Sequence, residues 1–421
     1  MPEIERADAP DLLRDKDFRS LWAGQTASQL GEHASLVVLP LIAVLTLHVD
    51  AGQLGVLRAV GQAPLLLLSL FIGAWVDRWR ARTVMVLADL GRALALAGAA
   101  VATLAGGPVL PALLVVAFLV GTLSVFFDVA YQALLVRMLR RDQLLRGNSA
   151  IEGTRSAAQI GGPALGGALV SLLSAPVAAV SNALLFAVSF VAIARIGHRE
   201  PPHADPPGRV WRRIHEGVRF VAGHRTLRAV CLASAAFQCS FAAVMTAYLL
   251  FVTRDLHLSG GAAGVALAAA GPGALAGSLL AARLPGRFGY GVVLVCAAAI
   301  GDGVLLLVPA LHGPPTVTLP LLVAVNVVSG AFGQLVNVTV MAVRQAVTPD
   351  RMQGRVSATI TFAGMGLTPA GSLLGGLLAG ELGPRTAILV AGAGMLLSPV
   401  VMLLSPLARL GRQLPAPVPT D

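Results

Sequence analysis

The chain has 421 residues, 56% of them hydrophobic and only 12% charged, with a mean hydropathy of +0.78. Soluble domains carry about 25% charged residues, so the composition points away from water before any motif is read. The net charge of +10 does not signal nucleic acid: 14 Phe and 3 Tyr are few for base stacking, and the basic residues follow a different logic, set out below.

Residues 1–18, MPEIERADAPDLLRDKDF, are polar and carry no cleavage-site pattern, which predicts a cytoplasmic N-terminal segment rather than a signal peptide. A helix needs about 20 predominantly apolar residues to cross a bilayer. Such runs fall near 20–47, 54–76, 83–105, 109–135, 146–172 and 174–196, and resume near 228–252, 261–282, 288–311, 316–343, 354–380 and 385–406. The expectation is an all-α polytopic membrane protein of twelve transmembrane helices in two pseudo-symmetric six-helix bundles, 19–196 and 228–408. Between them lies a polar linker, 197–227, whose RVWRRIHEGVRFV can form an amphipathic surface helix; a short tail, 409–421, follows. Buried helices of a soluble protein would need polar faces, which these runs mostly lack. Cys231, Cys239 and Cys296 lie in apolar runs with no metal-ligand or disulfide spacing.

Arginine placement gives orientation. With the N-terminus inside, the inner segments hold Arg6, Arg14, Lys16, Arg19, Arg78, Arg80, Arg82, Arg137, Arg140, Arg141 and Arg146, then eight arginines from Arg195 to Arg228. The second half adds Arg283, Arg287, Arg344, Arg351, Arg355, Arg409 and Arg412, while the outer loops hold only Arg254 and Arg385. Both termini are therefore expected in the cytoplasm, and the single lysine against thirty arginines suggests a GC-rich bacterial source. The halves also repeat. Val136-Arg137 matches Val343-Arg344 at an offset of 207, Ser149-Ala150 matches Ser357-Ala358 at 208, and Gly166-Gly167 matches Gly375-Gly376 at 209. Matches in one order near half the chain length indicate duplication.

The loop after span two reads GAWVDRWRAR, and it resembles the signature of the major facilitator superfamily between its second and third helices. Gly73, Asp77, Arg78 and Arg82 fit that pattern, while Arg80 and Ala81 stand where glycine and arginine are usual. The resemblance covers about 17–408. It implies that Asp77 reaches the other half to hold the inner face shut in the outward-open state, with Arg351 or Arg355 as available partners. A weaker second copy, GSLLAARLPGR from Gly277, has Ala281 in place of Asp77. In span five, Gly162-Pro163-x-x-Gly166-Gly167 resembles the antiporter signature of drug-exporting members, with Ser149 and Ala158 at its two earlier glycine positions. The segments 126–153 and 215–228 are similar to the branch that includes macrolide-efflux proteins and the enterobactin exporter.

Ionisable groups inside spans are costly and mark functional sites by default. Asp89 and Arg92, and Glu152 and Arg155, are i,i+3 pairs that are candidates for proton coupling or substrate binding, or alternatively structural locks on the inner side; Asp128 can join the same network. Glu32 lies near the middle of span one with no arginine or lysine beside it in sequence, and is the leading candidate for the proton or cation-substrate site. Pairing with Arg58 for folding is the alternative. Gln25, Gln29, His33, Gln62, Tyr131, Gln132, Gln238, Asn337 and Phe241 are candidates for lining a substrate cavity. No GxxxxGK[ST] loop, metal cluster or nucleophile motif is present in the sequence, so neither an ATPase nor another enzyme is expected, and the proton gradient replaces any cofactor. The expected activity is export of lipophilic or amphipathic small molecules by proton antiport through the bacterial inner membrane. The alternative is a siderophore or other metabolite exporter of the same fold. The expected partners are substrate, protons and lipids, and nothing requires more than a monomer.

Overall fold

A computed structural model of the chain describes residues 15–76, 79–104, 109–139, 143–197, 210–349 and 352–413. The first half contains α1 (Lys16–Leu45), α2 (Ala51–Val76), α3 (Ala81–Leu104), α4 (Val109–Met138), α5 (Leu144–Leu172) and α6 (Ala175–Ala194). A shorter helix, α7 (Val210–Gly223), precedes the second half. There follow α8 (Arg225–Leu250), α9 (Gly260–Ala268), α10 (Ala270–Ala281), α11 (Leu284–Phe288), α12 (Tyr290–Gly303) and α13 (Pro315–Val347), then α14 (Gln353–Met365), α15 (Thr368–Leu382), α16 (Pro384–Met395) and α17 (Leu397–Leu403).

The spans are helical because a bilayer leaves the backbone no other partner for its polar groups. The ends follow local chemistry. Asp15 caps α1, accepting from the backbone N–H of Asp17 at 2.8 Å and of Phe18 at 3.3 Å. Gly289 (φ +94°) and Gly383 (φ +81°) supply the positive φ that lets one helix end and the next begin at once. First-half spans are unbroken, although α1, α2 and α5 contain Pro40, Pro64 and Pro163. Four of the six second-half spans are jointed: α9 with α10, α14 with α15, and α16 with α17 each make one crossing, and α12 continues as a 3₁₀ turn over Val304–Ala310. Among the described residues, eleven segments are long and apolar enough to cross a membrane. The twelfth span is α5, which is 29 residues long but carries Arg146, Glu152, Arg155 and Gln159.

Within the first half α1 packs on α5 and α6, α3 on α4 and α6, and α2 on α4. Within the second, α8 packs on α14, α15, α16 and α17, and α13 on α10 and α12. Two main seams join the halves, α2 on α15 and α5 on α9. Each is a glycine crossing. A Cβ on Gly55 would lie 3.0 Å from Gly376 Cα, and one on Gly167 would lie 2.7 Å from Gly264 Cα. Backbones this close exclude any side chain. Adding 209 to Ala51, Gly55, Pro163 and Gly167 gives Gly260, Gly264, Ser372 and Gly376. The two crossings are thus images of each other, and the duplication read in the sequence reappears as a two-fold relation between contacts.

Both seams lie toward the arginine-poor face. There Arg254 also donates to the Val49 carbonyl and Ser171 Oγ accepts from the Gly261 N–H. Among the described residues no comparable seam joins the halves at the arginine-rich face. The molecule is closed on one side and open on the other. At the open end α7 rests on α8 and α14.

Candidate functional site

The charged groups of the first half converge on one guanidinium. Arg92, on α3, is 0% exposed. Its Nη2 donates to Ser28 Oγ at 2.9 Å and to Asp89 Oδ1, and its Nη1 donates to Ser124 Oγ at 3.2 Å. The Phe127 and Phe186 rings stand 4.6 and 4.4 Å from its central carbon. Asp89, equally buried, also accepts from Ser28 Oγ at 3.3 Å and from Ser189 Oγ. Four helices, α1, α3, α4 and α6, meet on this network. Such a pair is tolerated in an apolar interior because both carboxylate oxygens and both terminal guanidinium nitrogens find partners, only Arg92 Nε being left without one.

Glu32 stands at the edge of the network. Its Oε2 is 3.9 Å from Arg92 Nη1, its side chain is 25% exposed, and that oxygen has no hydrogen-bond partner. The arginine beside Glu32 is therefore Arg92 and not Arg58, which makes no ion pair with it. The reason is tertiary: α3 lies against the Ser28 side of α1, whereas Arg58 sits nearer the closed end of α2. Half-buried Asp128, on α4, is within electrostatic reach of Glu32, Arg92 and Arg155. Glu152 and Arg155 face each other at 3.8 Å but are 67% and 51% exposed, so this pair is a solvated one and not a buried lock.

The cavity candidates divide. Gln25 and Gln29 share the helical stripe of Glu32 but are only 1% and 5% exposed. The expectation that they line the cavity fails, because neighbouring helices close over that part of α1. His33 packs at the α1–α5 seam, where a Cβ on Gly162 would strike its own Cβ at 2.4 Å. Gln62 accepts from Ser372 Oγ at 3.4 Å and so belongs to the α2–α15 seam. Tyr131, Gln238 and Phe241 are half-buried, with Phe241 stacked on Phe237 at 5.4 Å, and Gln132 and Asn337 are exposed. Asn337 lies three turns along α13 from Asn326, on the face that Asn326 turns to α8. Asn326 itself donates to Tyr248 Oη at 3.0 Å, both being buried. Tyr248→Phe is expected to lower stability by only about 1 kcal/mol in thermal unfolding, since Asn326 Nδ2 keeps its bond to the Leu322 carbonyl at 2.8 Å.

The span-five motif serves two seams. Gly162 and Gly166 admit α1, whereas Pro163 and Gly167 meet α9. Of the loop signature, Gly73 ends within α2, Arg82 donates to the Ala194 carbonyl, and Asp77, Arg78 and Arg351 lie outside the described residues. Arg355 is engaged by Glu216 of α7, a residue the sequence reading did not single out. Ser124, Ser189, Phe127 and Phe186 were equally silent: a serine or phenylalanine in an apolar run carries no signal of its tertiary partner.

Two repeated bundles of membrane-spanning helices joined at one face, with a buried charge network inside the first, have the architecture of a membrane transporter. The sequence model of the transmembrane secretion effector family (MFS_3) matches residues 8–416, and the chain belongs to that family. It is 27% identical over 414 residues to the multidrug efflux pump Tap of Mycobacterium tuberculosis (strain ATCC 25618 / H37Rv), with 94% of each chain covered. It is 28% identical over 402 residues to Tap of Mycolicibacterium fortuitum, covering 92% of this chain and 95% of the other. Among solved structures, a bacterial homologue of the iron transporter ferroportin in its inward-facing state superposes with a TM-score of 0.74 at 16% identity, over 93% of this chain and 98% of that one. The outward-facing state of a bacterial ferroportin homologue gives 0.60, over 92% and 98%. A bacterial homologue of the lysosomal transporter Spinster, inward-facing and occupied, also gives 0.74, at 14% identity over 96% and 98%. These structures share the fold.

Proposed function

We propose that the protein is a secondary active exporter of lipophilic or amphipathic small molecules, driven by proton antiport through alternating access. The arginine-rich face is cytoplasmic, which puts both termini inside and makes the open side the inner one, in a bacterial inner membrane. The two multidrug efflux relatives support export and drug-like cargo. Within the superfamily, the resemblance to the macrolide-efflux and enterobactin-exporter branch belongs to the same reading, as does a monomer divided at the 197–227 linker. Asp77 and Arg78 with Arg355 or Arg351 form the latch that shuts the inner face in the alternate state.

The observation that carries the proton coupling is the unbonded Oε2 of Glu32 at 3.9 Å from Arg92. Asp89 already pairs with that guanidinium, so Glu32 can take up or give up a proton without dismantling the fold. Asp128 is its partner in charge. Proton binding from the outside and substrate binding from the inside then alternate as the halves rock about the two crossings.

The test uses protein in liposomes loaded with a pH dye and a panel of lipophilic cations, macrolides and catecholate siderophores. A substrate gradient is expected to drive proton flux that Glu32→Gln reduces to background, while substrate-for-substrate exchange persists. Proton flux that survives Glu32→Gln but not Asp128→Asn would move the carrier to α4. The second reading, a siderophore or other metabolite exporter, is favoured by one observation only, the unpaired Arg58.

A further inference from the structure

Arg58 is the one arginine within α2, and its charge is unanswered among the described residues. Its Nε is shut from solvent without a hydrogen-bond partner, and no ion pair or hydrogen bond to its guanidinium exists among the described residues. The direction it points follows from α2 itself. Gly55 and Gln62 face α15, Gly61 and Pro64 face Gly121 of α4, and Gln53, Val56 and Leu67 are exposed on the far side. At 100° per residue, Arg58 falls between the α15 and α4 faces, turned away from the exposed stripe and toward the centre of the molecule. Exposure on the Glu32 stripe of α1 extends to this depth. Leu36, one turn beyond Glu32 on the same stripe of α1, is 55% exposed although the residues from Val37 to Val44 are buried.

A half-buried guanidinium without a counter-ion is costly, and the cost is removed when an anion arrives. Its fork of donors matches a carboxylate or sulfonate in two parallel hydrogen bonds. Leu36 on one wall and Phe241 on the other are apolar. We infer that Arg58 anchors the acidic group of the cargo at the closed end of the cavity, and that the preferred cargo is a lipophilic organic anion, a carboxylate or sulfonate on an apolar body. This inference rests on the export reading above and narrows its substrate class.

Binding, not transport, tests it. The probes share one ring and differ in charge: 1-naphthoate, 1-naphthalenemethanol and 1-naphthylmethylammonium. Each is equilibrated with the full chain in lipid nanodiscs, with empty nanodiscs subtracted. Naphthoate is expected to bind more tightly than the alcohol by about tenfold or more. Arg58→Gln should remove that advantage and leave the alcohol unchanged, while Arg58→Lys should keep part of it. Intact thermal unfolding of both variants excludes a folding defect. Equal naphthoate affinity in wild type and Arg58→Gln overturns the inference, as does tightest binding of the ammonium or no naphthoate binding at all. Proton-coupled export of neutral or cationic compounds by Arg58→Gln would leave the export reading standing while removing Arg58 from it.

Discussion

Arg92→Met is expected to destabilise the protein by about 3–5 kcal/mol, the usual effect of removing one partner from a buried ion pair. The variant strands Asp89, whose remaining partners are Ser28 and Ser189, in an interior where it is 0% exposed. It also removes the cation beside Glu32 and the contacts with Phe127 and Phe186. Fluorescence-detected size exclusion after a heating series measures the loss. The double variant Asp89→Asn/Arg92→Met should recover much of it, because neither residue then leaves a buried charge. If Arg92→Met unfolds at the wild-type temperature, the network does not hold the four helices together, and its charges are free to serve the transport cycle.

The second large effect is conformational. Gly167→Val places a side chain where a Cβ would already lie 2.5 Å from the Gly260 carbonyl oxygen and 2.7 Å from Gly264 Cα. Both obstacles are backbone, so the helices must part. The expected result is loss of the population joined at the arginine-poor face, read as a longer spin-label distance between positions Leu172 and His257. Gly376→Val should do the same at the paired crossing, where a Cβ would lie 2.7 Å from the Ala51 carbonyl oxygen. Gly98→Ala, with nothing within 4 Å of its Cβ, is the control and should leave the distance unchanged. An unaltered distance in Gly167→Val would mean that the crossing yields locally and does not govern the state.

Much of the architecture was legible because a bilayer imposes it: span length and arginine distribution are direct consequences of hydrocarbon thickness and surface potential. The joints in the second half were not. Each has a breaker beside it, since Pro272, Pro369 and Pro399 follow Ala269, Gly366 and Leu396 by three residues, but the apolar runs continue through them and read as single spans. At the site, local spacing found Asp89 with Arg92 because an i,i+3 pair needs no tertiary information. Glu32 beside Arg92 could not be found that way, since sixty residues and the whole of α2 separate them. Gln25 and Gln29 show the same limit. A stripe tells which residues face together but not which neighbour covers them.

The salt bridge between Glu216 and Arg355 ties α7 to the start of α14 at the arginine-rich face. If Arg355 must change hands when that face shuts, the linker sets a rate as well as a tether length. Each turn of the cycle would begin by breaking one ion pair and end by re-forming it. Strengthening that bond would slow turnover and leave affinity alone, so a surface helix far from the cargo would act as the transporter's escapement.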